Sequence, residues 1–234
     1  MIIAIDGTSG SGKSTLAKKL AKTLGFGFFS AGDLYRTITL KALNLSIKDN
    51  EDDKLQYLID HTEILYTYDG KNNVMLLDGI DVMSKLRTEE ISQNVAKYSC
   101  KPYIREFVRK LQRETKEHNE NIVMEGRDIG SVIFPDADLK VYVDCQVDER
   151  AKRRFKDCSA DDPTVKYEDV LQALKDRDYK DMHREISPLI MCENAFLIDS
   201  TLNDVFECEQ LIIKEMIRRN LITREHAKEL GVHI

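Results

Sequence analysis

The sequence predicts an α/β protein in which a five-stranded parallel sheet is flanked by helices. Two observations carry this prediction. Short apolar runs alternate with longer segments of helical periodicity along most of the chain, and polar clusters follow the apolar runs. Because ligands of open α/β sheets bind at the carboxyl ends of the strands, we expect the clusters after the first four strands to meet above one edge of the sheet.

The first predicted strand, residues 2–5, is entirely apolar and leads into a glycine-rich loop. Gly7, Gly12, Lys13 and Ser14 fit the spacing G-x-x-x-x-G-K-[ST], and a helical pattern follows. Such a loop turns backbone N–H groups and a helix N-terminus toward an anion. Lys13 can reach the outer phosphates and the Ser14 hydroxyl can ligate Mg²⁺, so we expect a nucleoside triphosphate to bind here. The residues predicted to bind it are Gly7, Thr8, Ser9, Gly10, Ser11, Gly12, Lys13, Ser14 and Thr15.

The later elements follow from the same patterns. Pro102 begins a long helix, and Asn203 or Asp204 caps the last long one. A polar stretch at residues 157–164 is predicted to be a loop. The remaining predicted strands are residues 26–29, 122–124, 139–143 and 195–198. With those two long helices included, the helices predicted after the phosphate loop are residues 30–45, a segment around Leu55, Leu58 and Ile59, 89–96, 103–118, a segment beginning at 148, 167–185, 204–219 and 223–230.

The pattern changes at residues 62–85. Two apolar runs flank the turn-rich loop 69–73, and Asp78 with Gly79 forms another tight turn. We interpret this stretch as a small antiparallel sheet inserted into the α/β domain. Both a structural flap and a substrate-binding element would show this pattern.

Composition excludes several classes of function. The formal net charge of −6 argues against a general nucleic-acid binder, which needs a basic face. No apolar run approaches 18 residues, so we expect no membrane span. Met1 leads straight into a predicted core strand, so we expect no signal peptide and a cytoplasmic protein with reduced thiols. The five cysteines and five histidines are scattered, which does not favour a zinc site.

Arginines concentrate at strand ends and at the starts of helices. Singly, each is explained by a solvated surface, as is the stripe of Arg105, Arg109 and Arg113. Together with the phosphate loop they favour phosphoryl transfer, which needs positioning and charge neutralisation more than covalent chemistry. A phosphate acceptor is already ionised near neutral pH, so no general base is required. The candidate arginines are Arg36, Arg105, Arg127, Arg150, Arg153, Arg154, Arg177 and Arg184.

Several segments in order resemble the bacterial cytidylate kinases, and the match runs from residue 2 to about 215. The segments are Asp6–Ser14, Ala31–Arg36, Glu125–Ala137, Glu149–Arg154 and Arg177–Leu189. The resemblance implies a P-loop NTPase fold in a single kinase chain, with a helical lid and an insert in the region that binds the nucleoside monophosphate. It implies a core of about residues 1–61, 86–149 and 185–234, an insert of about 62–85 and a lid of about 150–184.

The resemblance further implies transfer of the γ-phosphate of ATP to CMP, and to dCMP, with Mg²⁺, in pyrimidine nucleotide metabolism. By position, Arg36 and Arg127 would hold the acceptor phosphate, and Arg105 and Asp128 would contact cytosine. One carboxylate and one guanidinium complement the donor and acceptors of cytosine, whereas uracil reverses them at two positions. Sugar and phosphates would be bound by Arg177, Asp181 and Arg184, and the lid would contribute Arg150, Arg153 and Arg154. The implied catalytic residues are Lys13, Arg127, Arg150, Arg154 and Arg184.

This chain departs from the family at Ala31 and Ala96, where we align hydroxyl side chains in many members. We therefore expect CMP to be the preferred substrate over dCMP. Two alternatives remain at this point. Another P-loop nucleoside monophosphate kinase, such as an adenylate kinase, would share the phosphate loop. A non-catalytic regulatory protein would also bind nucleotide, although it would be expected to lose Lys13 or the arginines. We expect a monomer.

Overall fold

A computed structural model of the protein describes residues 1–69 and 72–232. The strands are β1 (Ile2–Gly7), β2 (Gly27–Ser30), β3 (Ile64–Tyr68), β4 (Asn73–Leu77), β5 (Ile80–Asp81), β6 (Ile122–Gly126), β7 (Leu139–Asp144) and β8 (Phe196–Asp199). Five of them form a parallel sheet in the order β2-β6-β1-β7-β8, and β3, β4 and β5 form a separate antiparallel sheet. The five predicted core strands and the predicted inserted sheet are confirmed.

Helices surround these strands. They are α1 (Lys13–Leu24), α2 (Ala31–Asn44), α3 (Asp52–Asp60), α4 (Glu89–Ser99), α5 (Pro102–Glu117), α6 (Val147–Asp161), α7 (Tyr167–His183), α8 (Val205–Arg218) and α9 (Arg224–Glu229). A short 3₁₀ turn covers Met83–Lys85, and a π-helical turn covers Ile129–Ile133. Within the described residues, no helix is both long enough and apolar enough to cross a membrane.

The chain divides into two compact units. The first unit comprises Met1–Phe26 with Val123–Ile234, and the second comprises Gly27–Ile122. The predicted boundaries between core, insert and lid stay a prediction.

In the first unit, β1 lies beside β7 in parallel register, with Ile3 opposite Leu139 and Gly7 opposite Val143. Residues 3–5 of β1 are fully buried, and Leu16 of α1 and Ile212 of α8 are buried on the apolar faces of their helices. Each such side chain contributes roughly 1.5–3 kcal/mol by burial. Because β1 and β7 are parallel, their carboxyl ends lie at the same edge of the sheet, where the glycine-rich loop begins.

In the second unit, the antiparallel pair β3–β4 joins Ile64 to Leu77 and Tyr68 to Asn73. Burial alternates along β3, because Ile64 and Tyr66 are buried while Leu65 is exposed. This period of two is the signature of a sheet with one covered face. Gly70 and Lys71, at the centre of the predicted hairpin loop, lie outside the described residues, as do the last two residues of the chain.

One local prediction is wrong. The predicted polar loop at residues 157–164 is helical as far as Asp161, because α6 continues through this polar stretch. The helix stops where Asp162 adopts an extended conformation (φ −136°, ψ 103°) directly before Pro163. A residue that precedes proline is sterically disfavoured in the α region, so the proline rather than polarity sets this boundary.

Candidate active site

The glycines of the loop after β1 meet different needs. A Cβ at Gly7 would lie 2.1 Å from the carbonyl oxygen of Val143, so the close approach of β1 and β7 excludes any side chain there. Gly10 and Gly12 have φ of 78° and 81°, in the left-handed region that favours glycine. The motif spacing therefore reflects one steric contact and two backbone turns that carry the chain into α1.

The N-terminus of α1 has the features of a helix end that binds anions. Gly12 occupies the cap position, no side chain of the described residues caps the helix, and its first turn contains no acidic residue. The first N–H groups of a helix have no partner inside the helix. Ser14 and Thr15 are exposed on this first turn. Thr8 Oγ1 is buried and makes no hydrogen bond among residues 1–69 and 72–232, so it too has a polar atom to offer a ligand.

Lys13 is a buried cation, with only 6% of its surface exposed. Its Nζ lies 3.3 Å from the Thr8 carbonyl oxygen, to which it donates, and 3.9 Å from Glu125 Oε2. Burial, together with the charge of Arg127, lowers the pKa of Lys13 to about 7, although Glu125 opposes the shift. A phosphate anion beside Nζ would favour the charged form, so this amine is poised for an anionic ligand.

Arg127 follows β6 and belongs to an ion-pair network with α7. Its Nε donates to Asp181 Oδ2 at 2.8 Å, and Asp181 Oδ1 lies 3.4 Å from Arg184 Nη1. Arg184 Nε in turn donates to the Ser187 carbonyl oxygen at 2.6 Å. The structure thus brings together three residues that the sequence placed in one site, and Asp181 holds both guanidinium groups.

Arg177 of α7 and Arg154 of α6 add further positive charge to the first unit. Both are exposed. Partial desolvation by the surrounding protein, together with the charges of Arg127 and Arg154, lowers the pKa of Arg177 although its surface is exposed. The charge of Arg177 also contributes to the lowered pKa of Lys13. Arg127 and Arg177 therefore both lie close enough to Lys13 to disfavour its charge, which is the arrangement expected of a site that binds a polyanion.

Arg150 was predicted at the start of the lid, and the structure shows it buried against the phosphate loop. Its Nη1 donates to the Ser9 carbonyl oxygen at 2.9 Å and lies 2.6 Å from Asp178 Oδ2, while its Nε donates to the Cys145 carbonyl oxygen. The other carboxylate oxygen of Asp178 accepts from the Ser9 N–H at 3.3 Å. Asp178 and Arg150 together therefore hold the phosphate loop at Ser9.

Arg36 and Arg105 belong to the second unit. Arg36 Nη1 donates to the Gly32 carbonyl oxygen at 3.3 Å, and a Cβ at Gly32 would lie 2.9 Å from that nitrogen. Glycine at position 32 thus leaves room for the guanidinium over the first turn of α2. Arg105 is buried, and its guanidinium carbon lies 5.6 Å from the centre of the Tyr35 ring, a cation–π distance.

A buried network ties the inserted sheet to the start of α2. The Tyr66 hydroxyl donates to Asp33 Oδ2 at 3.2 Å and accepts from the Ser30 N–H at 3.1 Å and from Asn73 Nδ2 at 2.9 Å. Asp33 Oδ1 also pairs with Arg87 Nη2 at 2.6 Å. These contacts therefore join the inserted sheet to the first turn of α2, close to Arg36 in the chain.

Sequence reasoning missed several of these residues. Asp178 was visible inside the Arg177–Leu189 segment but received no role. Asp6 immediately precedes the glycine-rich loop and was also passed over. Nothing in the sequence around Asp33 or Tyr66 indicated that these residues would form a buried hydrogen-bond network. Asp128, which the sequence did select, is buried at the start of the π-helical turn.

Comparison with known proteins identifies relatives over nearly the whole chain. The family model described as cytidylate kinase matches residues 3–218. A cytidylate kinase of Caldanaerobacter subterraneus subsp. tengcongensis is 43% identical over 220 residues, which cover 93% of this chain and 95% of that protein. A cytidylate kinase of Caldicellulosiruptor saccharolyticus is 40% identical over 212 residues, with coverage of 91% and 93%.

Solved structures share the fold at low sequence identity. An uncharacterized protein from Eubacterium ventriosum superposes with a TM-score of 0.51 at 17% identity, covering 92% of this chain and 98% of that one. A protein from Thermus thermophilus gives a TM-score of 0.50 at 16% identity, with coverage of 95% and 98%. At such identities these structures bear on the fold alone.

Proposed function

This chain belongs to the cytidylate kinase family, and we propose that it transfers the γ-phosphate of ATP to CMP, giving CDP and ADP. The observation that carries the proposal is the buried Lys13 at the uncapped N-terminus of α1, whose pKa is lowered to about 7 by burial and by the charges of Arg127 and Arg177. Mutual repulsion of these cations is relieved when phosphate groups bind among them. Phosphoryl transfer concentrates negative charge on the moving group, and fixed cations stabilise that charge.

The phosphate loop, from Gly7 to Thr15, binds ATP in this proposal. The uncapped N-terminus of α1 supplies N–H donors and partial positive charge to the phosphates. Lys13 lies against the outer phosphates, and the buried Thr8 hydroxyl gains a partner. An oxygen of the CMP phosphate attacks the γ-phosphorus, and the bond from that phosphorus to the ADP oxygen breaks, so no proton has to be removed from the acceptor.

CMP is bound by a set of charged residues. Arg36 and Arg127 hold its phosphate, and Asp128 and Arg105 complement the donor and acceptors of cytosine. The further contacts to sugar and phosphates come from Arg177, Asp181 and Arg184. The ion pairs of Asp181 with Arg127 and Arg184 support this proposal, because they hold both guanidinium groups in place before a ligand arrives.

Mg²⁺ fits the residues present. No cluster of three or more His, Cys, Asp or Glu side chains in the described parts of the chain could hold a metal alone. Mg²⁺ instead favours one or two protein oxygens together with phosphates and water. The exposed Ser14 hydroxyl beside the phosphate loop supplies such an oxygen. When bound, Mg²⁺ would neutralise charge on the β- and γ-phosphates.

The lid of about residues 150–184 carries Arg150 and Arg154 to the transferring group and excludes water. The insert of about residues 62–85 belongs to the CMP-binding part of a single kinase chain with its core at about 1–61, 86–149 and 185–234. We further propose a cytoplasmic monomer that binds neither nucleic acid nor membrane. dCMP is a second, poorer substrate, because Ala31 removes a hydroxyl from the segment that carries Arg36.

A nucleoside monophosphate screen tests this function. ADP formation from ATP and Mg²⁺ is measured with CMP, dCMP, UMP and AMP, each as a concentration series. CMP should give the highest kcat/KM. Equal or greater turnover of AMP or UMP would assign the chain to another nucleoside monophosphate kinase. No ADP formation with any acceptor, while ATP still binds, would instead indicate a nucleotide-binding protein without transferase activity.

A further inference from the structure

Asp6 has no role in the site described so far, yet it makes two strong contacts in the first unit. The residue lies near the end of β1 and is 4% exposed. Its Oδ1 accepts from the Ile129 N–H at 2.9 Å, and its Oδ2 accepts from the Gly130 N–H at 2.8 Å. One carboxylate thus binds two consecutive N–H groups that are more than 120 residues away in sequence.

These two N–H groups open the π-helical turn Ile129–Ile133. The first N–H groups of any helical turn lack partners within it and need a cap. Asp128 occupies the cap position, but its side chain makes no capping hydrogen bond in the described structure. Asp6 provides the cap from the neighbouring strand, and its negative charge strengthens both bonds.

The capped turn carries two proposed CMP-binding residues. Asp128 is part of the turn through its backbone, because its carbonyl oxygen accepts from the Val132 N–H at 2.9 Å and from the Ile133 N–H at 3.1 Å. Arg127 is its direct neighbour in the chain. A shift of the turn therefore shifts both the base-reading carboxylate and the acceptor-binding guanidinium.

We propose that Asp6 is a positioning residue for the CMP side of the reaction, an inference that rests on the proposed function. Asp6 lies on β1, the strand that leads into the phosphate loop, and its carboxylate keeps the π-helical turn in place. It touches neither nucleotide. Its carboxylate is required because only two acceptor oxygens can satisfy both N–H groups.

The protonation state of Asp6 also changes with pH near neutrality. Burial, and to a lesser degree the charge of Asp128, raises the pKa of Asp6 to about 7. The two N–H bonds and the charge of Arg127 oppose this rise. The Tyr142 hydroxyl and the Cys192 thiol are further titratable groups whose pKa values are raised in part by the charge of Asp6. Protonation converts one acceptor oxygen into a donor, so the cap weakens as pH falls through about 7.

The test compares Asp6→Asn with wild type. The amide keeps one acceptor oxygen and turns an NH₂ group toward the second N–H. We expect the KM for CMP to rise at least tenfold while the Kd for ATP, measured by calorimetry, stays within twofold. Amide hydrogen exchange of Ile129 and Gly130 should accelerate at least tenfold. The KM for CMP of wild type should rise as pH falls from 8 to 6 more than that of Asp6→Asn, in which position 6 cannot titrate.

Asp138→Asn is the matched control. Asp138 accepts from the Ile2 N–H at 2.6 Å at the opposite end of β1 and is exposed. This variant should match wild type in all four measurements. An equal loss of ATP and CMP binding in Asp6→Asn would overturn the inference, because Asp6 would then act on the phosphate loop. Unchanged KM for CMP with unchanged exchange would overturn it as well.

Two further outcomes are also decisive. If Asp6→Asn does not fold, the measurements on wild type decide the question. Rapid exchange of the Ile129 and Gly130 amides would refute the role of Asp6. A KM for CMP that is constant from pH 8 to 6 would refute it as well. If wild type does not phosphorylate CMP, the proposed function fails. The exchange rates of Ile129 and Gly130 still report the cap in that case.

Discussion

Helices α1 and α8 belong to the same unit but begin in opposite ways. At α8, the Asp204 side chain accepts from the Phe206 and Glu207 N–H groups at 2.8 and 2.9 Å, and Glu207 accepts from the Asp204 N–H at 2.8 Å. This is a complete capping box. At α1, the cap position is Gly12, and the structure as described shows no side chain bonded to the first turn.

The two helices are otherwise joined closely. Glu209 of α8 lies 2.8 Å from Lys19 Nζ and accepts from the Thr23 hydroxyl at 2.6 Å, both on α1. The difference at their N-termini is therefore local. The Asp204 side chain caps two N–H groups of α8, whereas those of the first turn of α1 would face the phosphates in the proposed function. If the proposed function is right, one helix end serves stability and the other serves binding, so mutations at the two ends should have separate effects.

Removal of Lys13 should have the largest effect on activity. Lys13→Ala deletes a fixed cation beside the outer phosphates, so we expect kcat to fall about 10²- to 10³-fold. The thermal midpoint of the ligand-free protein should stay the same or rise, because a buried, crowded cation is lost. Steady-state ADP formation and thermal melting measure the two quantities. A variant with near wild-type kcat would show that α1 does not bind the transferred phosphate.

Gly7→Ala should be the most destabilising change near α1. The new Cβ would meet the Val143 carbonyl oxygen of β7, so strands β1 and β7 must separate or the chain must distort. We expect a loss of about 3 kcal/mol or more in the free energy of unfolding, measured by urea titration. Gly12→Ala is the matched control for stability, since a Cβ at position 12 would have no atom within 4 Å. It should cost only about 1–2 kcal/mol for its left-handed backbone. Equal losses in the two variants would contradict this account.

ATP binding should weaken as pH rises above 7. Lys13 has a pKa of about 7 in the ligand-free protein, against an ordinary value of 10.5, so above pH 7 ATP must recruit a proton to it. The Kd of ATP with Mg²⁺ should rise by up to about tenfold per pH unit between pH 7 and 9. Over that range the unfolded chain binds more protons than the folded one, so the free energy of unfolding of the ligand-free protein should increase as pH rises.

Lys13→Arg separates this effect from other titrations. The guanidinium stays charged throughout the range, so the Kd of ATP in this variant should be nearly independent of pH between 7 and 9. Calorimetry in buffers of different ionisation enthalpy should detect proton uptake on ATP binding to wild type at pH 8 and none attributable to position 13 in the variant. Parallel pH profiles of the two proteins would refute the assignment to Lys13.

The sequence predicted the features that are set locally. Strand β1, the glycine spacing and the helix that follows are encoded within about twenty residues, and the resemblance added Arg127 and Asp181 by their motifs. The sequence did not predict the contacts between segments that are distant along the chain. Asp178 reaches Ser9 across 169 positions, and Asp6 reaches Ile129 across 123. Arg150 was expected at the entry to the lid, and the sequence did not reveal that it would be buried in a pair with Asp178. No pattern in one sequence reveals which carboxylate will meet which N–H group.

Removal of the α8 cap should have the smallest effect and should leave catalysis untouched. Asp204→Ala loses two hydrogen bonds to N–H groups of the first turn, which costs about 1 kcal/mol and lowers the thermal midpoint by about 2–4 °C. Asp204→Asn keeps an acceptor oxygen and should lose much less. Both variants should retain the kcat and KM of wild type, because no residue of α8 belongs to the proposed nucleotide site. A fall in kcat without a fall in thermal midpoint would mean that the two helix ends are coupled, and the contrast between them would no longer hold.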